Sequence, residues 1–284
     1  MPDHLTFVSR ITAMLGAAPP PSVLTIASLG YHEVTDDPSQ SGFQRPAARP
    51  YKHTRAAFHE HIQAIGRGSL VPALVTDVDY TQGGRHLTLT FDDGGKSARY
   101  ISDALGRSGW RAHFLVPTAL IGTRTFLAID EIRAIRKEGH VIGSHSHTHP
   151  DIFNILSTRA MNEEWRTSCD ILSQLLGEAC VVASVPGGDI SDAVLAAADD
   201  NGIRFLFTSE PWLVPRRVGR CWVLGRVCIK SGTSAARVQD LAAHRGWGTA
   251  LVARRLSVAA RNAVHPLYRA YVRNRTRPAM GEAR

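Results

Sequence analysis

Short apolar runs rich in β-branched and aromatic residues alternate with helix-like stretches along most of this chain, and that alternation restricts its fold more than any other feature. Strands are expected at Val23–Tyr31, His86–Phe91, Ala112–Val116, His140–Gly143, Ala179–Val185, Ile203–Thr208 and Cys221–Val227. Thr54 is placed to cap a helix that runs to Gly68. Further helices are expected over Ser97–Arg107, Ile129–Lys137, Ser157–Leu176 and Asp192–Asn201, with Gly139 and Gly177 stopping the second and third of these. Repeated βα order implies an α/β fold with a parallel sheet, either a barrel or a doubly wound sheet. Thr35–Tyr51, rich in Asp, Ser, Gln and Pro, reads as a long loop.

The 284 residues are 44% hydrophobic and 20% charged, which excludes disorder, collagen and coiled coil as descriptions of the whole. No apolar run approaches the roughly 18 residues of a spanning helix. The first 21 residues lack the charged-then-apolar order of a secretory signal, so a cytoplasmic location is expected. Cys169, Cys180, Cys221 and Cys228 show no C-x-x-C spacing and read as reduced, mostly buried residues. The net charge of +8 is concentrated. From His244 to Arg284 nine arginines face one acid, Glu282, which leaves the preceding residues neutral. Basicity is therefore a property of the tail, and no nucleic-acid partner is expected. These shifts divide the chain into an extension (1–22), a catalytic domain (23–243) and a basic tail (244–284).

Polar clusters close four of the expected strands: Tyr31-His32, Asp92-Asp93, His145 to His149, and Pro186-Gly187-Gly188. In parallel α/β folds that edge is where sites assemble. Adjacent strand residues point to opposite faces, so Asp92 and Asp93 have different roles, one free to bind a cation and one to act as a base. His145 and His149, four apart, share a face if helical; in an extended strand His147 joins them. Two imidazoles and one carboxylate leave coordination positions open for water, as in a catalytic metal site.

TFDDG at Thr90–Gly94, AHFLVPT at Ala112–Thr118 and EGHVIGSHSHTHP at Glu138–Pro150 resemble the polysaccharide deacetylase (NodB homology) family, carbohydrate esterase family 4. The resemblance covers Leu24–Ile229 and implies a distorted (β/α)7 barrel that hydrolyses N-acetyl or, less often, O-acetyl groups of sugars. It implies Asp92 as base and Asp93, His145 and His149 as ligands of one divalent metal, usually Zn2+, with Ser146 supporting the histidine loop and His147 at the rim. The family's third motif, R-x-P-x-G, falls on Ser184–Gly188, so Ser184 stands where an arginine would brace the base, while Gly187 keeps the backbone N–H that helps hold the oxyanion. A late leucine-x-histidine, the usual general acid, is missing from VLGRVCIKSG.

LGYHEV at Leu29–Val34 resembles the Y-H-x-V opening of poly-N-acetylglucosamine deacetylases, whose motif order is circularly permuted. That implies His32 as the acid, with His244 the other candidate. The resemblance implies an amino-sugar glycan as substrate, in a polysaccharide, an oligosaccharide or a lipid-linked form. A noncatalytic sugar-binding relative and a deacylase of a non-sugar small molecule are the alternatives. In the tail, Leu256, Ala260, Val264, Leu267 and Tyr271 share one helical face, opposed by Arg254, Arg261, Arg269 and Arg273, with a kink at Pro266. That apolar face either docks on the barrel or lies on an anionic membrane.

Overall fold

The computed structural model describes residues 22–263; the extension and residues 264–284, with Val264, Leu267, Tyr271, Arg269 and Arg273, lie outside them. The strands are β1 (Leu24–Tyr31), β2 (Glu33–Val34), β3 (Lys52–His53), β4 (Gly84–Phe91), β5 (His113–Val116), β6 (Val141–Ser144), β7 (Val182–Ser184), β8 (Phe205–Phe207), β9 (Arg216–Val218), β10 (Cys221–Leu224) and β11 (Val227–Cys228). The helices are α1 (Arg55–Gly66), α2 (Ser97–Gly106), α3 (Ile129–Lys137), α4 (Thr158–Leu176), α5 (Asp192–Asp200), α6 (Ala235–Ala242) and α7 (Trp247–Ala263). Thr54 caps α1 by accepting from Ala57 N at 3.2 Å, and Gly177 ends α4 at φ 70°, a left-handed stop that glycine takes without strain.

Nine strands form one sheet in the order β11-β1-β4-β5-β6-β7-β8-β10-β9, parallel except for the β10–β9 pair. Alternation along the strands sorts the core into two layers. Ala27, Leu29, Leu89, Phe91, Phe114 and Leu206 pack beneath the helices. Ile26, Leu115, Val182, Phe205, Phe207 and Leu224 fill the concave side. Burial of both faces explains why these strands read as continuous apolar runs.

The expected strand Cys221–Val227 is in fact two. Its first half, β10, pairs with β8 near one end of the sheet, and β11 pairs with β1 at the other. Gly225-Arg226 forms the break between them. One short stretch thereby serves both ends of the sheet, which curls into a half-barrel; among the described residues no ladder joins β10 to β11.

The long loop 35–51 is anchored at its base by β2 pairing with β3. Buried Glu33 ties it down further: Oε2 accepts from Ser41 Oγ and, at 2.6 Å, from Ser97 Oγ, while Ser97 N donates to Ser41 Oγ. Burial pushes the Glu33 carboxyl up to about 7, against the two serine hydrogen bonds. This clasp holds the loop carrying Phe43 and Arg45 against the turn that follows β4.

Helix α7 meets the body through buried Trp247 and through Arg254, whose guanidinium pairs with Asp189 and Glu210. Leu256 is 67% exposed. Of the expected apolar face only the Leu256 side chain is described, and it turns outward, while two carboxylates draw in Arg254 from the opposite side. No described helix is long and apolar enough to cross a membrane. All four cysteines are free, and only Cys228 is not fully buried.

Candidate active site

Four strand ends converge as the sequence anticipates. A cavity of about 370 Å³ is lined by His32 after β1, Asp92 and Asp93 after β4, and His145 and His149 after β6. Gly187, after β7, lines it too. Asp93 and the turn after it adopt left-handed backbone, at φ 74° for Asp93 and 62° for Gly94, and both carboxylates reach His145 Nε2, Asp93 Oδ1 at 3.5 Å and Asp92 Oδ2 at 3.9 Å. A non-glycine residue in that region costs energy and is retained where surrounding structure enforces it.

The histidine segment is neither a helical turn nor a strand. It leaves β6 at Ser144, and left-handed Ser146 (φ 63°) and His149 (φ 55°) fold it back on itself. Ser146 Oγ accepts from His149 N at 3.1 Å, so Ser146 supports the loop as anticipated. Glu164, reaching over from α4, accepts from the backbone N–H groups of His147 and Thr148 at 2.9 and 2.8 Å. The rings of His145 and His149 end 4.8 Å apart. His147 turns to Thr118 Oγ1 at 2.9 Å and does not line the cavity.

Asp93 Oδ1 stands 3.5 Å from Nε2 of both His145 and His149. Ligands at about 2.0–2.1 Å from a tetrahedral zinc are about 3.3–3.4 Å apart, close to both Asp93–imidazole distances, and the three donor atoms all lie within 4.8 Å of one another. His145 Nδ1 donates to Ser184 O at 3.0 Å, which leaves Nε2 facing Asp93; the two aspartates favour a proton there against burial, and a bound cation would take its place. His149 Nδ1 accepts from Arg45 Nη2 at 3.0 Å, because a guanidinium only donates; Nε2 then carries the proton, which a bound cation would displace. Arg45 also holds Asp151 at 2.8 Å, a partner it keeps if His149 turns over its tautomer. The donor set fits one divalent ion, with Asp92 outside the set.

Asp92 has a brace that sequence reasoning missed. Arg226, from the break between β10 and β11, meets it with two parallel contacts, Nη1–Oδ1 and Nη2–Oδ2, both 2.7 Å. The guanidinium is 1% exposed, and two more of its hydrogens go to Thr90 Oγ1 at 3.0 Å and Thr208 O at 3.1 Å. A Cβ on Gly30 would stand 3.1 Å from Arg226 Cδ, so the absence of one there gives the arginine its path. Ser184, which sits where the family pattern has its arginine, links the two halves of the site: its hydroxyl is 3.2 Å from Asp92 Oδ1 and 2.7 Å from His145 Nδ1. The available signal was the lone charge in the apolar run VLGRVCI.

Burial works against ionisation of Asp92, but the charges of Arg226 and His145 hold its carboxyl below the usual value. Asp93, equally buried, is held well below it by His32, His145 and His149. The His32 ring lies 4.5 Å from that of Tyr51, and its buried Nδ1 has no hydrogen-bond partner among the described residues. Burial lowers its pKa, while Asp93 and Asp92 pull it back up. His244 is elsewhere: Nε2 is 2.9 Å from His86 O, burial pushes the ring down to about 4, and it does not line the cavity.

The fold and site define an α/β protein with a curled half-barrel sheet and an Asp-His-His donor set beside a second, braced aspartate. The polysaccharide deacetylase family model matches residues 79–206. A 30.6 kDa protein of Geobacillus stearothermophilus, described only as uncharacterized, is 32% identical over 128 residues, which cover 44% of this chain and 46% of the relative. The peptidoglycan-N-acetylglucosamine deacetylase of Bacillus cereus is 28% identical over 158 residues, 53% of this chain and 56% of the relative. The chain thus spans about half the length of the curated relatives it matches. Among solved structures, the Streptococcus pyogenes deacetylase PplD in complex with acetate shares the fold at a TM-score of 0.65 and 18% identity, over 77% of this chain and 98% of that one. The family match thus covers a little under half of this chain, and the likeness to PplD is one of fold.

Proposed function

We propose that this chain is a metal-dependent hydrolase that removes N-acetyl groups from an amino sugar in a polysaccharide, an oligosaccharide or a lipid-linked glycan. The observation that carries the reading is an ionised Asp92, fixed by Arg226 and left out of the Asp93–His145–His149 donor set, in one cavity. A Zn2+ ion held by those three residues would act as a Lewis acid, lowering the pKa of a water from 15.7 toward about 7 and polarising the acetyl carbonyl.

Asp92 takes the proton of the attacking water as its oxygen bonds to the acetyl carbon. The Gly187 N–H, on the cavity wall, donates to the carbonyl oxygen as it gains charge. The carbon–nitrogen bond then breaks, and the nitrogen leaves as an amine only if it receives a proton. His32 supplies that proton. Its lowered pKa makes the charged imidazole a ready donor, and Asp92 and Asp93 favour charging it.

The test is acetate release from a panel of free, polymeric and lipid-linked N-acetylated amino sugars, with simple acetamides included for the non-sugar alternative. Release that a chelator abolishes and zinc restores supports the reading; a panel with no release on any sugar overturns it. His145→Ala is expected to lose both bound metal and activity, and full metal occupancy in that variant by elemental analysis would remove the ligand assignment. For His32→Ala, single-turnover acetate release is expected to fall by about 10²–10⁴-fold. Wild-type rates there would move the acid to another residue.

A further inference from the structure

The side of α7 turned away from the body combines two features that seldom stay exposed together. Val252 is 46% and Leu256 67% exposed, and at about 100° per residue they lie about 40° apart on the helix. Arg255, exposed as well, lies about 60° from Val252 on the other side. Next to this strip is β9, the edge strand of the sheet, whose Arg216 and Arg217 are both exposed. Arg216 is spread over the Trp212 ring at 3.9 Å and Arg217 over the Trp222 ring at 5.6 Å. Among the described residues, none of Arg216, Arg217 and Arg255 has a carboxylate within ion-pair distance. Arg216 and Arg255 are close enough that, after burial, the charge of Arg255 lowers the Arg216 guanidinium, with Glu210 opposing it. Glu210 is already paired with Arg254, so the arginines outnumber the carboxylates here and set up a positive surface potential. The sequence beyond residue 263 adds Arg269, Arg273, Arg275, Arg277 and Arg284 against the single acid Glu282.

We propose that α7 and β9 form a docking surface for an anionic lipid bilayer, with Val252 and Leu256 entering the headgroup region and Arg216, Arg217 and Arg255 on lipid phosphates. Exposed apolar side chains flanked by cations match a bilayer, which offers both environments. A second copy of the chain would bring the same positive patch against itself, and nucleic acid has no use for the apolar strip.

The surface is coupled to the cavity. Arg254, on the inner side of α7, pairs with Asp189 and Glu210. The residues next to those two, Gly188 and Ser209, line the cavity wall. Docked through α7, the enzyme holds its cavity beside the lipid surface, which selects a lipid-linked amino sugar as substrate; that last step rests on the deacetylase reading above.

Vesicle flotation of the full chain tests the surface, using phosphatidylcholine alone and phosphatidylcholine mixed with phosphatidylglycerol. The protein is expected to float with the anionic vesicles, to be released by salt, and to ignore the neutral ones. Each basic residue at such a surface is worth about fivefold in partitioning, so the double variant Arg216→Gln/Arg255→Gln should bind about 30-fold more weakly. Leu256→Asp should weaken it separately. Acetate release from a soluble substrate should be unchanged in all these variants, which also shows that they fold. No flotation with anionic vesicles, equal flotation of the double variant, or a dimer that Leu256→Asp dissolves would each overturn the proposal, while leaving the deacetylase reading to its own assay.

Discussion

Asp92→Asn is expected to slow acetate release by about 10²–10⁴-fold, the range general-base help supplies, while the protein keeps its metal. The substitution preserves shape and one acceptor oxygen but removes the negative charge that takes the proton from water. The substitution removes no donor, because Asp93, His145 and His149 form the set and Asp92 stands beside it, with Oδ2 3.9 Å from His145 Nε2. Acetate release and elemental analysis on one preparation separate the two roles. Unchanged turnover would place the base elsewhere, and lost metal would make Asp92 a ligand instead.

Arg226→Met should damage both stability and rate. Taking one partner from a buried ion pair costs about 3–5 kcal/mol, because the carboxylate left behind has neither water nor a cation. Asp92 would then titrate under burial without its strongest opposing charge, so its pKa rises and the acid limb of the rate profile moves to higher pH. The sign for stability follows from the folded state. The wild-type carboxyl is held below its ordinary 3.8, so the ion pair contributes fully above that value and is lost as the pH falls through the folded pKa. The stability gap between wild type and Arg226→Met is therefore widest near neutrality and narrows in acid. Arg226→Lys should recover only part of the loss, since an ammonium cannot reproduce two parallel 2.7 Å contacts. Thermal unfolding across pH, together with a pH profile of kcat/KM, measures both effects. A Met variant of wild-type stability and an unmoved profile would reduce Arg226 to a packing residue.

The order of strands and helices was legible because burial on both faces writes continuous apolar runs into the chain, and helix stops such as Gly177 are local signals. The meeting of His32, Asp92, Asp93, His145, His149 and Gly187 was legible too, since the carboxyl edge of a parallel sheet gathers whatever closes its strands. What the sequence concealed depends on backbone sign and on distance along the chain. A four-residue spacing between histidines suggests a helix, and nothing in the letters HSHTH announces two left-handed residues. Arg226 lies 134 positions from Asp92, too far for any local pattern to pair the two. In the tail, a helical wheel ranks apolar faces; it cannot register that Asp189 and Glu210 attract Arg254 and so turn Leu256 to solvent.

The interruption at Gly225-Arg226 also sets when competence arrives. Residue 226 follows Asp92, Asp93, His145 and His149 in the chain, and it seats only as β10 and β11 join opposite ends of the sheet. Until then Asp92 has no guanidinium opposite it. On the deacetylase reading, the braced base therefore depends on the same short stretch that closes both ends of the sheet.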